Sequence, residues 1–548
     1  MIQVDHPPPC KGLGIHLNST AAGFLLSVWA LAVYGFFASR QHNWDGAIQE
    51  VVDITTGNIR FNSRHLLYTV IGYPYYLVWR TLGYTGDATI PLQVLNAFVA
   101  AVGVFLLFNI LMHITASVKA SVIVAFLWAF SYAYWYYTEE TWYNVLGIAF
   151  VVFSLFFVIR GETTFDRSRW PYTLGWVLMG ALAVLTAVEN IISLAAISLL
   201  SVLLCKDKRK GLANAFLAGL LLCAIVTIAY LVIGRGEMAK GGVSGFVSWL
   251  NPFYTSDRLP MYTGIDAKKL PVAIMSLGGT FLPISRGLRL RGLFGGEITP
   301  DRIIAQISLL FFAMFMLFMV SQLVRRWSIL QKEFGRYLVV MFAWLIMVAV
   351  FTIWFDPWGS ERWLASTIPF AVIVAILVAD SLCDQTIVGT SAARRRVLFF
   401  VVTVSLVFLG NLTIAIGPDH FQDNPDWLRA QCVAGHMGTN DVIISPAWDW
   451  SNYMSVLGRR DIQLLSVAGA EFGKQPDGNG LVAIIDREIT NAHSSGGRAL
   501  LVDTLSYNQT DWDMIHWNTG LTKDDFELRL QHQAFQCYKE TIWEIGLP

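Results

Sequence analysis

Eleven stretches of this chain are long, apolar and nearly free of charge, and no other feature limits the fold as strongly. A helix needs roughly 20 consecutive apolar residues to cross the hydrocarbon core of a bilayer. With no water in that core, only helices or closed barrels can cross it. The candidate spans are 21–38, 91–112, 119–137, 141–159, 171–188, 191–205, 212–234, 303–324, 337–355, 362–380 and 397–417. The chain has 548 residues, 55 % hydrophobic and only 14 % charged, against roughly a quarter charged in a soluble domain. The expected fold class is a polytopic α-helical membrane protein with about 11 transmembrane helices.

Charge orients the spans. Read as one helix, 171–205 would be about 50 Å long, well over a core of roughly 30 Å. Arg160, Arg167 and Arg169 precede the pair 171–188 and 191–205, and Lys206, Lys208, Arg209 and Lys210 follow it. Cytoplasmic loops are enriched in Lys and Arg, so an even number of crossings separates the two basic loops. Lys119, the group Arg325/Arg326/Lys332/Arg336 and the triplet Arg394–Arg396 fall on the same side of an eleven-span chain. The stretches 39–90, 138–140, 235–302, 356–361 and everything after 417 then share the other side. Two further apolar stretches, 66–83 and 270–284, would break this parity as crossings. Pro74 and Arg80 in the first, and the short, Pro- and Gly-containing character of the second, mark them as interfacial or re-entrant helices.

The polar tail forms its own domain. The expected division is 1–417 for the membrane domain and 418–548 for a small extracytoplasmic α/β domain. "DVIISP", "IQLLSV", "LVAIID" and "ALLVDT" have the character of short buried strands, and "DDFELRLQHQAF" that of an amphipathic helix. Cys432 and Cys537 lie in this domain and can pair if it is outside the cytoplasm. The N-terminal "MIQVDHPPPCKGLGIHLNST" is not a signal peptide, and the apolar run after it reads as a retained first span. Lys+Arg and Asp+Glu each number 39, and no basic run interleaves with aromatics, so a nucleic-acid partner is not expected.

The residues with chemical potential gather on the non-cytoplasmic side. Asp45, Glu50 and Asp53 follow the first span, with Arg64 and His65 close behind. On a helix, 45, 49 and 53 share a face with Glu50 beside it. A carboxylate there suits a general base or a divalent-metal ligand; the plain alternative is a solvated acidic loop. Glu139 and Glu140 stand in a connection of a few residues, flanked by seven aromatics; the plain alternative is an aromatic belt with two solvated glutamates. "WFDPWGSERW" carries Glu361 and Arg362, and an Arg fork suits phosphate oxygens. "SRGLRLRG" puts Arg286 and Arg289 beside an interfacial apolar segment, where the phosphate of an amphiphile would lie. Glu189-Asn190 forms another turn on this side, with a capping role as its plain reading.

In this order the features resemble the GT-C superfamily of membrane glycosyltransferases, nearest to the protein O-mannosyltransferase-like and related bacterial branches. Asp45 in "NWDGAIQE" matches the acid that follows the first span, and "RHLLYTVIGYPYYLVWRTLG" resembles the second half of that loop. Glu139 or Glu140 in "YYTEETWYNVLGIAFVVFSLFFVIRG" matches the acid of the next outer loop. "SERWLASTIPFAVIVAIL" is similar to the segment entering a late span, and places Glu361 and Arg362. "GWVLMGALAVLTAVENIISL" resembles the paired short helices, and "NDVIISPAWDW" the opening of the tail. Gly46 stands where relatives carry a second acid, so Glu50 and Asp53 stay beside Asp45 as candidates for the base. The resemblance implies inverting transfer of a sugar from a polyprenyl-phosphate carrier to a hydroxyl of a glycan, lipid or protein acceptor. Asp45, Glu139 and Glu140 would be catalytic. Glu50, Asp53, Arg64, His65, Glu361, Arg362, Arg286 and Arg289 would bind substrate. A divalent metal ion stays open as cofactor, and the implied setting is a bacterial inner or plasma membrane.

Two other classes compete. A transporter or flippase for a lipid-linked sugar would carry charged residues within its spans, and Asp380, near a helix end, is the exception to their general absence. A non-catalytic receptor or scaffold would leave the clustered acids without a role.

Overall fold

The computed structural model describes residues 19–40, 47–57, 59, 61, 65–163, 169–250, 269–283, 300–355, 363–383, 391–421, 425–445, 453–454, 457–459, 461–463, 478–502, 505, 512, 515–516, 520–538 and 540–548. The chain divides into two compact units, one of residues 1–39, 61–233 and 264–420, the other of residues 40–60, 234–263 and 421–548.

Helices are numbered in chain order. The first unit holds α1 (Ser19–Phe36), α3 (Leu66–Thr81), α4 (Thr89–Thr115), α5 (Val118–Ala129), α6 (Tyr132–Glu139), α7 (Tyr143–Thr163), α8 (Arg169–Thr186), α9 (Ile191–Leu204) and α10 (Lys208–Ile233). It also holds α12 (Lys269–Gly279), α13 (Pro300–Phe355), α14 (Thr367–Cys383), α15 (Ser391–Asn411) and the start of α16 (Gly417–Phe421). Among the described residues, seven helices are long and apolar enough to cross a membrane, or eight if the bent pair α5/α6 is one span. The eleven spans expected from sequence include two shorter apolar helices, Trp170–Thr186 and Val188–Leu204, and count α13 twice.

The double count has a geometric basis. As one straight rod, the 56 residues of α13 would put Trp327 and Phe342 about 22 Å apart along the axis. Their rings lie 6.4 Å apart. The chain therefore bends back between them, so 303–324 and 337–355 do not form one straight rod. Arg326 Nε beside this bend pairs with Asp380 Oδ2 of α14 at 2.6 Å. Arg396 of α15 donates to the Ser381 carbonyl at 3.0 Å. Basic residues assigned to one side from sequence thus meet at one end of the unit.

The stretches 66–83 and 270–284 form helices of 16 and 11 residues, each short of the roughly 20 needed to span. α3 packs on α4 and α8 through Leu66, Tyr68, Thr69, Gly72 and Tyr76, and leaves Val70, Leu77, Val78 and Leu82 bare. An apolar outer face on a short surface helix suits the edge of a lipid leaflet.

One span expected to be continuous is broken. The segment 119–137 consists of α5 and α6, bent by 56° across Phe130 and Ser131. The backbone leaves the helix because other groups take its polar atoms. The Tyr34 hydroxyl donates to the Ala129 carbonyl at 2.7 Å, and the Asn411 amide donates to the Phe130 carbonyl at 2.7 Å. Apolarity alone did not mark this break.

The second unit holds α2 (Ala47–Thr56), α11 (Arg235–Leu250), α17 (Pro425–His436), α18 (Gly478–Ser494), α19 (Lys523–Glu527) and a five-stranded sheet of order β2-β1-β3-β5-β4. The strands are β1 (Val442–Ser445), β2 (Asp461–Gln463), β3 (Ala499–Leu501), β4 (Leu530–Cys537) and β5 (Glu540–Ile545). β1 pairs in parallel with β2 and β3, while β5 runs antiparallel to β3 and β4. α18 packs one face through Leu481, Ile485, Ile489 and Ala492. α17 packs the other through Ala430, Val433 and Ala434, and Val52 of α2 joins that cluster. Two local readings are corrected. "LVAIID" belongs to α18 because its apolar residues continue at helical spacing to Ala492. "DDFELRLQHQAF" gives only the single turn of α19 before it becomes β4. Cys432 and Cys537 are joined as a disulfide, tying α17 to β4 across 105 residues.

Candidate active site

The first unit buries a group of polar residues around the bent α5/α6 segment. The broken helix carries them. α6 ends at Glu139, and every residue from Ala129 to Ala149 is buried. Glu139 and Glu140 are 1 % and 2 % exposed. This corrects the solvated-turn alternative: the pair lies inside protein.

The walls of this region are built by hydrogen bonds. The Ser39 amide donates to the Glu139 carbonyl at 3.3 Å. Gln93 Nε2 of α4 donates to the Ser39 carbonyl at 2.7 Å. One turn on, Asn96 Nδ2 donates to the carbonyls of Glu140 at 2.8 Å and Trp142 at 3.0 Å. The exit of the first span, the glutamate pair and the start of α7 are thereby fixed to one face of α4. His65 stacks on Tyr143, ring centroids 4.1 Å apart and 13° from parallel, so the start of α3 joins the same cluster. Gly147 lets the outer turn of α8 and α9 approach α7: a Cβ there would stand 2.6 Å from Asn190 Nδ2. Asn190 Nδ2 donates to the Ala183 carbonyl at 3.1 Å, which is the turn-forming role read from sequence.

The other sequence candidates divide clearly. His65, Glu139 and Glu140 come together in the first unit. Glu50 and Asp53 lie on α2 of the second unit, 5 % and 6 % exposed. They are one turn apart and share a face. Asp45, Arg64, Arg286, Arg289, Glu361 and Arg362 lie outside the described residues. Sequence reasoning missed Gln93, Asn96, Asn144 and Asn411, which are neutral polar residues within or beside apolar runs. Their signal was present: an amide inside a span needs a partner in protein, because lipid offers none.

A divalent cation was an open expectation. Glu139 and Glu140 supply carboxylates, and Asn96 Oδ1 and Asn144 Oδ1 are buried without a hydrogen-bond partner among the described residues. Oxygen donors of this kind are the type a hard cation takes. Cys432, His436 and Cys537 also lie within 4.8 Å of one another through their ligand atoms. Both sulfurs are spent in the disulfide, which leaves no thiolate for a metal.

No protein-family model matches the sequence, and no curated protein does. Solved structures do match. ArnT from Cupriavidus metallidurans in the apo state superposes with a TM-score of 0.56 at 12 % identity, covering 96 % of this chain and 98 % of that one. The same protein bound to undecaprenyl phosphate gives 0.55 at 11 % identity, over 96 % and 99 %. The oligosaccharyltransferase of Archaeoglobus fulgidus, in complex with Zn and sulfate, gives 0.56 at 12 % identity, over 96 % of this chain and 73 % of that one. The chain has the fold of the GT-C membrane glycosyltransferases.

Proposed function

We propose that this protein is an integral membrane glycosyltransferase that moves a sugar from a polyprenyl-phosphate carrier to an acceptor hydroxyl. The observation that carries this reading is the buried Glu139–Glu140 pair at the end of a broken helix, in a chain whose fold matches ArnT, solved with undecaprenyl phosphate.

The acceptor oxygen attacks the anomeric carbon in line and its proton passes to a carboxylate. The bond from that carbon to the phosphate oxygen breaks, and polyprenyl phosphate leaves. Asp45 is the proposed base, with Glu50 and Asp53 as its alternatives. Inversion at the anomeric carbon follows from a single displacement. Glu139 and Glu140 complete the acidic half of the site. Arg362, Arg286 and Arg289 meet the negative charge that develops on the phosphate, and Arg64, His65 and Glu361 line the substrate. Asn96, Asn144 and the two glutamates would hold a divalent ion, which when bound supplies countercharge to the departing phosphate. The basic ends of the spans face the cytoplasm by the positive-inside rule, so the acids work on the outer face. Residues 1–417 form the catalytic membrane domain, and 418–548 help to place the acceptor.

The test supplies purified protein with a panel of polyprenyl-phosphate sugars and follows release of free polyprenyl phosphate. Release abolished by Asp45→Asn supports the reading and its base. Release that survives moves the base to Glu50, Asp53 or Glu139. Movement of intact carrier across vesicles without release would replace it with the flippase reading.

A further inference from the structure

Asn411 ends α15 at the head of a π-helical turn, Leu412–Ile416. Its side chain is fully buried. From Nδ2 it donates two hydrogen bonds that point away from its own helix, to the Phe130 carbonyl at 2.7 Å and the Phe281 carbonyl at 3.0 Å. Phe130 is the break in the α5/α6 span. Phe281 lies in the turn that ends α12. These two segments also bond each other directly: the Tyr132 amide donates to the Phe281 carbonyl at 3.2 Å, and the Ala133 amide to the Thr280 carbonyl at 2.9 Å.

The arrangement joins two helix ends. The last carbonyls of one helix and the first amides of the next are left without intrahelical partners. Here the amides opening α6 take the carbonyls closing α12, and one asparagine bridges both backbones. Close approach makes this possible. A Cβ on Gly410 would meet Ser308 Oγ at 2.7 Å and lie 3.8 Å from Leu282, so the helix brings residue 411 to this point because residue 410 has no side chain. A π-helical turn interrupts regular helix and recurs at functional sites.

We propose that Asn411 is a positioning residue, which holds α12 of the 235–302 segment in fixed register with the helix that ends at Glu139. It touches no substrate. It acts through α6, so that a group bound by the outer segment and the glutamate pair meet in one geometry. This rests on the glycosyltransferase reading for what the coupled elements do, but not for the coupling itself.

Two arms test it, with full-length protein in lipid nanodiscs. Hydrogen exchange compares wild type with Asn411→Leu, which keeps volume and removes the donor, and with Asn411→Ser, a smaller change that retains one hydroxyl donor. Exchange in 269–283 and 130–136 is expected to rise at least about tenfold in the leucine variant, as expected when a local unit opens more readily, with 143–163 unchanged. Serine is expected to fall between. This arm needs no substrate, so it decides the coupling whatever the enzyme does. Unchanged exchange in both variants overturns the proposal. The second arm measures polyprenyl phosphate release. A positioning role predicts that kcat falls about tenfold or more while KM stays within about threefold, the pattern of an interaction realised in the transition state. Raised exchange with unchanged kcat would leave Asn411 a structural tie and overturn its positioning role.

Discussion

Asn96 places its amide against the Glu140 carbonyl at 2.8 Å and, with the same nitrogen, reaches the Trp142 carbonyl at 3.0 Å. One side chain of the central helix thereby fixes both ends of the peptide that follows the acid pair. Leucine at this position keeps the volume and strands two buried carbonyls, at a cost of about 1–3 kcal/mol for each. Asn96→Leu is expected to lower the Tm of the full chain and to reduce product release further than the stability loss explains. Asn96→Asp keeps the shape but exposes a carboxylate to two carbonyl oxygens, and is expected to be the worse of the two. Equal activity of both variants and wild type would remove Asn96 from the site's support.

Arg326 and Asp380 offer a test elsewhere in the unit. The pair is short, and its side chains are 28 % and 7 % exposed. Removing one partner of a buried pair leaves a charge without compensation and costs about 3–5 kcal/mol, the lower end applying here because Arg326 reaches solvent. The single variants Asp380→Leu and Arg326→Met are each expected to destabilise more than the double variant Arg326→Met/Asp380→Leu. A chemical-denaturation cycle over the four proteins gives the coupling. Additive effects would show that the two residues do not act as a pair.

The C-terminal unit offers a pH test. Burial pushes the Asp441 carboxyl up, but hydrogen bonds from the Arg498 side chain and from the Gly438 and Arg498 amides, with the Arg498 charge, outweigh it and hold the group below the usual range. Arg498 contributes Nη2 at 2.6 Å and Nε at 3.1 Å. A carboxyl whose folded pKa is depressed binds protons more readily when unfolded. Its contribution is therefore present above the unfolded value of about 3.9 and is lost as pH falls through that value toward the folded one. Protease resistance of this unit in the full chain, followed from pH 6 to pH 3, is expected to fall below about pH 4. Asp441→Asn is expected to start lower and to flatten that dependence. An unchanged slope in the variant would place the acid sensitivity elsewhere.

The disulfide is a separate lever in the same unit. It closes a loop of 105 residues, and removing a native bridge over such a loop costs about 2–5 kcal/mol. Cys432→Ala/Cys537→Ala is expected to lower the unfolding free energy of the C-terminal unit by that amount, read as a lower denaturation midpoint. Val52 packs beside α17, so hydrogen exchange in 47–56, which bears Glu50 and Asp53, is expected to rise with it. Reductant is expected to reproduce both effects in wild type and neither in the variant.

The membrane character was legible because it rests on composition; the bridge between Cys432 and Cys537 stood in the sequence only as an option tied to the compartment. The bend in α13 was legible too, since four basic residues interrupt two apolar runs. The break at Phe130 and Ser131 was not. Nothing between Val118 and Glu139 is Gly or Pro, and the bend is held by Tyr34 and Asn411, which are distant in sequence. The burial of Glu139 and Glu140 depends on that bend and was hidden with it. The strand reading of "LVAIID" failed for a nearer reason. Five apolar residues fit either period, and only the window extended to Ala492 separates them. The turn from α19 into β4 depends on pairing with β5, a partner that the window "DDFELRLQHQAF" does not contain.

His65 separates support from chemistry at the proposed site. Its ring lies flat on Tyr143 at 4.1 Å, and it is 7 % exposed. Phenylalanine preserves a stackable ring and removes both ring nitrogens; alanine removes the ring as well. An aromatic pair of this kind contributes about 0.5–1.5 kcal/mol beyond burial. His65→Ala is therefore expected to lose stability and activity together, with a lower Tm and slower polyprenyl phosphate release. His65→Phe is expected to keep the Tm near wild type. If the imidazole binds substrate, release by His65→Phe falls at least about tenfold, as loss of a charged or polar contact would predict. If His65 only braces Tyr143, release by the phenylalanine variant matches wild type, and substrate binding passes to the other candidates.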